Sequence, residues 1–219
     1  MRSRQHYDEE LVGLHHQLTD MGSLALAAVE RSLDALSHGD HELAQQVVAD
    51  DKQIDQRELE LHAHAVTLIA TQQPVARDLR IILAAIAVAS ELERIADYAK
   101  GIAKLVVGAP GATALQAPPE LLHLGASAQA MLGHTLGALA DLDEGAARAL
   151  FAEEEQIDRV YKPLKRSLAN ALAESALGPA RAADLLFIAH NLERIADRST
   201  NIAERIVYYT SGEQVALNP

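Results

Sequence analysis

Apolar residues recur along this chain in alternating steps of three and four, the spacing that lines one face of an α-helix. Leu11, Leu14, Leu18, Met21, Ala25 and Ala28 form the first such stripe. It stops at Ser37-His38-Gly39-Asp40, where Asp40 is placed to cap a second helix running to about Thr71. Gln72-Gln73-Pro74 then turns the chain into a third helix ending near Val107. Three more helical segments follow at 120–141, 143–177 and 180–211, with no convincing strand pattern between them. Pro74, Pro110, Pro118, Pro119 and Pro179 lie in the breaks, and Pro219 ends the sequence. Only Pro163 falls inside a helical pattern, and a kink is expected there.

The pattern occurs twice. Leu92-Glu93-Arg94-Ile95-Ala96-Asp97 returns unchanged as Leu192-Glu193-Arg194-Ile195-Ala196-Asp197. Earlier in each half, at an offset of 103, Gly22 matches Gly125, Leu33 matches Leu136 and Leu36 matches Leu139. Asp40 likewise matches Asp143, and Ile54-Asp55 matches Ile157-Asp158. The offset drops by three between the second and third helices of each half, so the second hairpin is that much shorter. Identical residues together with matched helix breaks mark an internal duplication. The expected fold is all-α: two tandem antiparallel three-helix bundles, 1–107 and 120–219, joined by a Gly/Ala/Pro-rich linker at 108–119.

Composition sharpens this. Hydrophobic residues make up 49% of the chain but aromatics only 3%, so the cores must be built from Ala, Leu, Ile and Val. Small Ala side chains let helix axes approach closely. A net charge of −12 disfavours a nucleic-acid partner, which would need a basic face, and disfavours adhesion to anionic lipid. It suits cation binding and docking on a basic protein. The absence of cysteine excludes disulfides, thiolate metal sites and Cys nucleophiles. No apolar run approaches the ~20 residues of a membrane span, and no signal core follows the N-terminus. A cytoplasmic protein with no direct membrane insertion is expected.

Chemistry concentrates in acidic pairs spaced four apart, which share one helical face. These are Asp51/Asp55 and Glu93/Asp97 in the first half, Glu154/Asp158 and Glu193/Asp197 in the second. A turn centred on Pro74 sets Asp51 level with Asp97 and Asp55 level with Glu93. The second hairpin brings its pairs to within two to three residues of register, roughly 4 Å at ~1.5 Å per residue. Four convergent carboxylates make an oxygen cage for a hard or borderline ion: Fe, Mn, Mg, Ca or carboxylate-bound Zn. Asn201 and Glu204 extend the second acidic face, whereas their counterparts Gly101 and Lys104 do not extend the first. The first site is therefore expected to hold fewer ions, or to hold them more weakly.

The plainer alternative is a pair of solvated acidic faces, with Arg94 and Arg194 neutralising Asp97 and Asp197 at i,i+3. A carboxylate-bridged multinuclear-metal enzyme, or a metal-storage or handling protein, would use the same eight residues. Against a di-iron enzyme, Glu120/His123 is a solitary Glu-x-x-His beside the linker where two facing copies are needed. His15, His16, His62, His64 and His190 are scattered without reciprocal spacing. No phosphate-binding loop or nucleophile elbow is present.

The run Gln72-Gln73-Pro74-Val75-Ala76-Arg77-Asp78-Leu79-Arg80, followed by the Leu92 to Asp97 motif, resembles the signature of the PhoU family. So do the second copy with Asn201-Ile202-Ala203-Glu204, the opening Tyr7-Asp8-Glu9-Glu10-Leu11 and the segment from Asp51 to Asp55. The likeness covers essentially the whole chain. It implies two three-helix bundles, frequent homodimers, and E/D-x-x-x-D motifs holding metal ions, including multinuclear iron, at the eight carboxylates above. It also implies a non-enzymatic regulator that represses the phosphate-starvation response. Such a regulator contacts the ATPase of the phosphate ABC transporter and a membrane sensor histidine kinase, so it sits at the inner membrane through its partners. Gly101, where many members carry Asn, and Pro163 depart from the family pattern.

Overall fold

The computed structural model describes residues 2–109, 115–174 and 177–215, the first few of them as backbone. Six helices follow one another: α1 (Arg2–His38), α2 (His41–Gln72), α3 (Arg77–Gly108), α4 (Pro119–Asp141), α5 (Glu144–Ala173) and α6 (Pro179–Ser211). Among the described residues there is no strand.

The duplication shows in the caps. Asp40 accepts a hydrogen bond from the Leu43 N–H and Asp143 one from the Ala146 N–H, each at 3.0 Å. Each carboxylate satisfies one of the orphan amides that open a helix, α2 in one half and α5 in the other. Two helices, α2 and α4, end in the left-handed region, at Gln73 (φ 49°) and Leu142 (φ 51°). The fifth helix stops at Ala173, short of the expected 177. Gly178, at φ 81°, then turns the chain into Pro179, and residues 175–176 lie outside the described residues. So do residues 110–114 of the linker. The end of the linker is tied down by Arg181, which donates from Nε to the Leu115 carbonyl at 2.9 Å and from Nη2 to the Gln116 carbonyl at 3.1 Å.

Pro163 does not end α5, which runs unbroken through it. Tyr161, Leu164 and Leu168 lie buried around it and hold both flanks of the helix against the core, while the proline itself is exposed. Packing here outweighs the one backbone hydrogen bond that the ring deletes.

Within each half the three helices pack on one another. Between halves, α3 packs on α6 and α1 on α4, which leaves α2 and α5 on the two outer flanks. One apolar core is continuous through both bundles. At the α3–α6 crossing buried alanines predominate, including Ala96, Ala99, Ala103, Ala189, Ala196 and Ala203. The crossing is antiparallel: Glu91 at one end pairs with Arg198 at 3.2 Å, and Gly101 lies against Asn191. Each outer hairpin, α2–α3 and α5–α6, therefore presents one polar groove away from this shared centre.

Candidate functional site

In the first hairpin α2 supplies Asp51 and Asp55 and α3 supplies Glu93 and Asp97. Asp51 flanks the stripe set by Val47 and Ile54, so its side chain is only 4% exposed, whereas that of Asp97 is 52% exposed. The groups lie close enough to feel one another. Burial pushes Glu93 up to about 7, reinforced by Asp97, Glu58 and Asp55. Burial also pushes Asp51 upward, against the pull of Lys100.

Two further residues complete this cluster. Glu58 accepts a hydrogen bond from Ser90 Oγ at 2.8 Å, a direct strap between α2 and α3. Lys100 Nζ donates to Asp51 and to Asp97 Oδ1, the latter at 3.0 Å, and so spans the same two helices. The bond to Asp51 is the main reason the Lys100 ammonium is held more firmly protonated than usual. Both residues sit three positions beyond an acid of the cluster, a spacing that local pattern alone could have flagged.

In the second hairpin Glu154, Asp158, Glu193 and Asp197 line one open cleft of about 680 Å³. Burial pushes Glu154 up, helped by Asp158 and Asp197. Glu193 also rises through burial and the charge of Asp197, with Arg194 opposing. The buried Glu193 Oε2 makes no hydrogen bond, the His190 ring nitrogen standing off at 3.5 Å. Cations border the cleft from the same helices as the acids. Arg194 pairs with Asp197, and a hydrogen bond to Tyr98, on α3, is the main reason its guanidinium is held more firmly protonated than usual. Lys162 bonds Asp158 at 2.5 Å, and Lys165 stands over the Tyr161 ring, 5.5 Å from its centroid. Asn201 and Glu204 are half-buried on α6 and do not line the cleft.

All eight carboxylates expected from spacing thus gather as two groups of four. Among the described residues, however, no three acidic or histidine side chains stand close enough to share one ion in this conformation. Several of these acids pair instead with a neighbouring cation: Asp51 and Asp97 with Lys100, Asp158 with Lys162, and Asp197 with Arg194. The second group offers a hard cation four carboxylates on an open cleft, which Lys162, Lys165 and Arg166 also line, and one buried carboxylate oxygen there lacks a donor. In the first group the corresponding place between the helices already holds the Lys100 ammonium. His190 and His62 stand near Glu193 and Glu58, at 3.5 and 3.8 Å, whereas His64 bonds Glu10 at 2.7 Å and His15 reaches the Ala140 carbonyl at 3.2 Å. Among the described residues no helix is long and apolar enough to cross a membrane.

The family model for the PhoU domain matches twice, over residues 18–106 and 121–206. A PhoU homologue from Zymomonas mobilis, named as a phosphate-specific transport system accessory protein, is 37% identical over 95% of this chain and 88% of its own. One of the same name from Clostridium acetobutylicum is 31% identical over 99% of each chain. The crystal structure of the phosphate transport system regulatory protein PhoU from Streptococcus pneumoniae superposes with a TM-score of 0.87 at 30% identity, covering 96% of this chain and 99% of that one. PhoU from Pseudomonas aeruginosa gives 0.86 at 31%, over 94% and 100%. With both repeats matched and the same six-helix fold, this chain belongs to the PhoU family.

Proposed function

We propose that this chain is a non-enzymatic regulator of a phosphate-specific transport system, acting as an adaptor between the transporter ATPase and a membrane sensor histidine kinase. Family membership over both repeats carries this reading, since the relatives are named as accessory or regulatory proteins of that system. Two features of the chain support it. The carboxylate groups lie on outer grooves, which suits a structural or sensory ion better than turnover. The α2–α3 hairpin also leaves Leu59, Val66 and Leu83 exposed, with Val75 at its tip 76% exposed. The Ser90–Glu58 register sets Leu83 level with Val66 along the hairpin, and exposed apolar side chains of this kind are available for a partner to cover.

In this reading Glu154, Asp158, Glu193 and Asp197 hold an ion of the Fe, Mn, Mg or Zn class. Two of these side chains come from α5 and two from α6, and a bound ion would supply the positive charge that offsets theirs. The protein then works in the cytoplasm as a homodimer recruited to the membrane by its partners. Co-purification of the tagged full-length chain with the cognate ATPase and kinase, from cells grown at high and at low phosphate, tests the adaptor role. Capture of both partners, with phosphate status shifting the balance between them, is expected. Failure to capture either under both conditions overturns it.

A further inference from the structure

The two carboxylate groups look alike in sequence, yet they differ in what already lies between their helices. Lys100 projects from α3 across the hairpin, bonding the buried Asp51 of α2 and Asp97 of its own helix. Its positive charge therefore sits where an ion bridging the two helices would have to sit. The position that matches it in the second half is Thr200. Thr200 is buried and its hydroxyl donates to the Ala196 carbonyl of the same helix at 3.3 Å, so it brings no charge. Lys162, Lys165 and Arg166 line the second group's cleft together with its acids. Lys162 and Arg194 each bond an acid on their own helix, and Lys162 is 70% exposed. Neither contact bridges α5 to α6, and Glu193 Oε2 is left without a donor.

We propose that the first carboxylate group is closed by its own ammonium, Lys100, so that metal binds this protein only at the second group. The inference rests on the metal reading given above. A tethered ammonium competes at a fixed, high effective concentration. An incoming ion must break two charge-assisted hydrogen bonds and leave a lysine charge half-buried beside it. At Glu193 the opposition is weaker: Arg194 and Lys165 act on it through charge, and no hydrogen bond holds its Oε2. The duplicated hairpins have thus taken different roles: α2–α3 is clamped permanently from within, and α5–α6 is clamped only when metal is available.

The test uses the full-length protein, stripped with chelator and titrated with Mn(II), with bound ions counted after gel filtration and circular dichroism confirming the fold. Glu154→Gln/Glu193→Gln is expected to abolish binding, whereas Asp51→Asn/Glu93→Gln leaves the wild-type count unchanged. Lys100→Thr, which copies the second half, should about double the count, while Lys100→Arg keeps it at the wild-type value. In chelator Lys100→Thr should also melt lower than wild type and recover on adding Mn(II). Two outcomes overturn the proposal alone: a count that falls by half in Asp51→Asn/Glu93→Gln, or no increase in Lys100→Thr where wild type binds. If neither wild type nor Lys100→Thr binds Mn(II), the metal reading itself fails and the proposal falls with it.

Discussion

Leu136 of α4 lies directly over Gly22 of α1, so close that a Cβ on the glycine would stand 2.5 Å from Leu136 Cδ2. The repeat supplies the reciprocal contact. Leu33, the counterpart of Leu136, lies over Gly125, the counterpart of Gly22, where a Cβ would stand 2.6 Å from Leu33 Cδ2. Each half thus offers the other a knob and a hole, the self-complementary pairing expected of a two-fold interface. Here the two-fold is internal to one chain, and it sets α1 against α4.

Both glycines are in mid-helix without positive φ, so alanine would fit the backbone and add about 0.5–1 kcal/mol of helix preference. Overpacking a filled contact typically costs ~1–3 kcal/mol, and only part is recovered as the leucine swings away. Gly22→Ala and Gly125→Ala are therefore expected to destabilise by about 0.5–2 kcal/mol. Gly133 of α4, with nothing within 4 Å of its Cβ position, is the control. Gly133→Ala should stabilise by about 0.5–1 kcal/mol in urea unfolding. Stabilisation by Gly22→Ala would mean the hole has no packing role.

Gly101 tells a similar story for α3 and α6. A Cβ there would stand 2.8 Å from Nδ2 of the buried Asn191, so the glycine makes room for a side chain of the other half. Gly101→Asn should therefore expel Asn191 rather than add a ligand. We expect a loss of about 1–3 kcal/mol and no additional bound Mn(II). An increase in bound metal would show that position 101 faces the cluster.

These residues mark where sequence reading succeeds and where it stops. Helix ends at Asp40 and Asp143, the repeat, and the convergence of each set of four acids are all local or hairpin-scale. They follow from periodicity, capping chemistry and one turn position. Gly101 looked like a missing ligand because its true neighbour, Asn191, is reached only through the crossing of α3 and α6. No within-half register encodes that crossing. The clamp by Lys100 was missed for another reason: a cation three residues from an acid reads as an ordinary surface pair. Its significance depends on Asp51 being buried opposite it.

Pro163 offers a direct gain. It leaves the Arg159 carbonyl without its helical donor, yet the ring is exposed and fills no core space. Pro163→Ala restores the N–H and removes a clash worth ~3 kcal/mol in helix interiors, less up to ~1 kcal/mol for a freer unfolded chain. A net stabilisation of about 1–2 kcal/mol is expected, read as a higher melting temperature. An unchanged or lower melting temperature would show that α5 needs the proline for its course along α4 and α6.

The last prediction concerns protons. Glu93 is raised from an ordinary 4.5 to about 7, first by burial and then by Asp97, Glu58 and Asp55. A carboxyl raised on folding binds more protons in the folded state than in the unfolded one between those two values. Its contribution to stability is therefore fully present below 4.5 and is lost as pH rises through about 7. In metal-free buffer, melting temperature should fall between about pH 5 and about pH 8. Glu93→Gln, which mimics the protonated form, should melt above wild type at the upper end, match it at the lower, and so flatten the profile. Asp51, Glu154 and Glu193 are raised in the same sense, so part of the slope will remain in that variant. A Glu93→Gln protein that melts below wild type at the upper end would show the opposite: that the ionised carboxylate is favourably paired, with Lys100 serving Glu93 as well as Asp51 and Asp97.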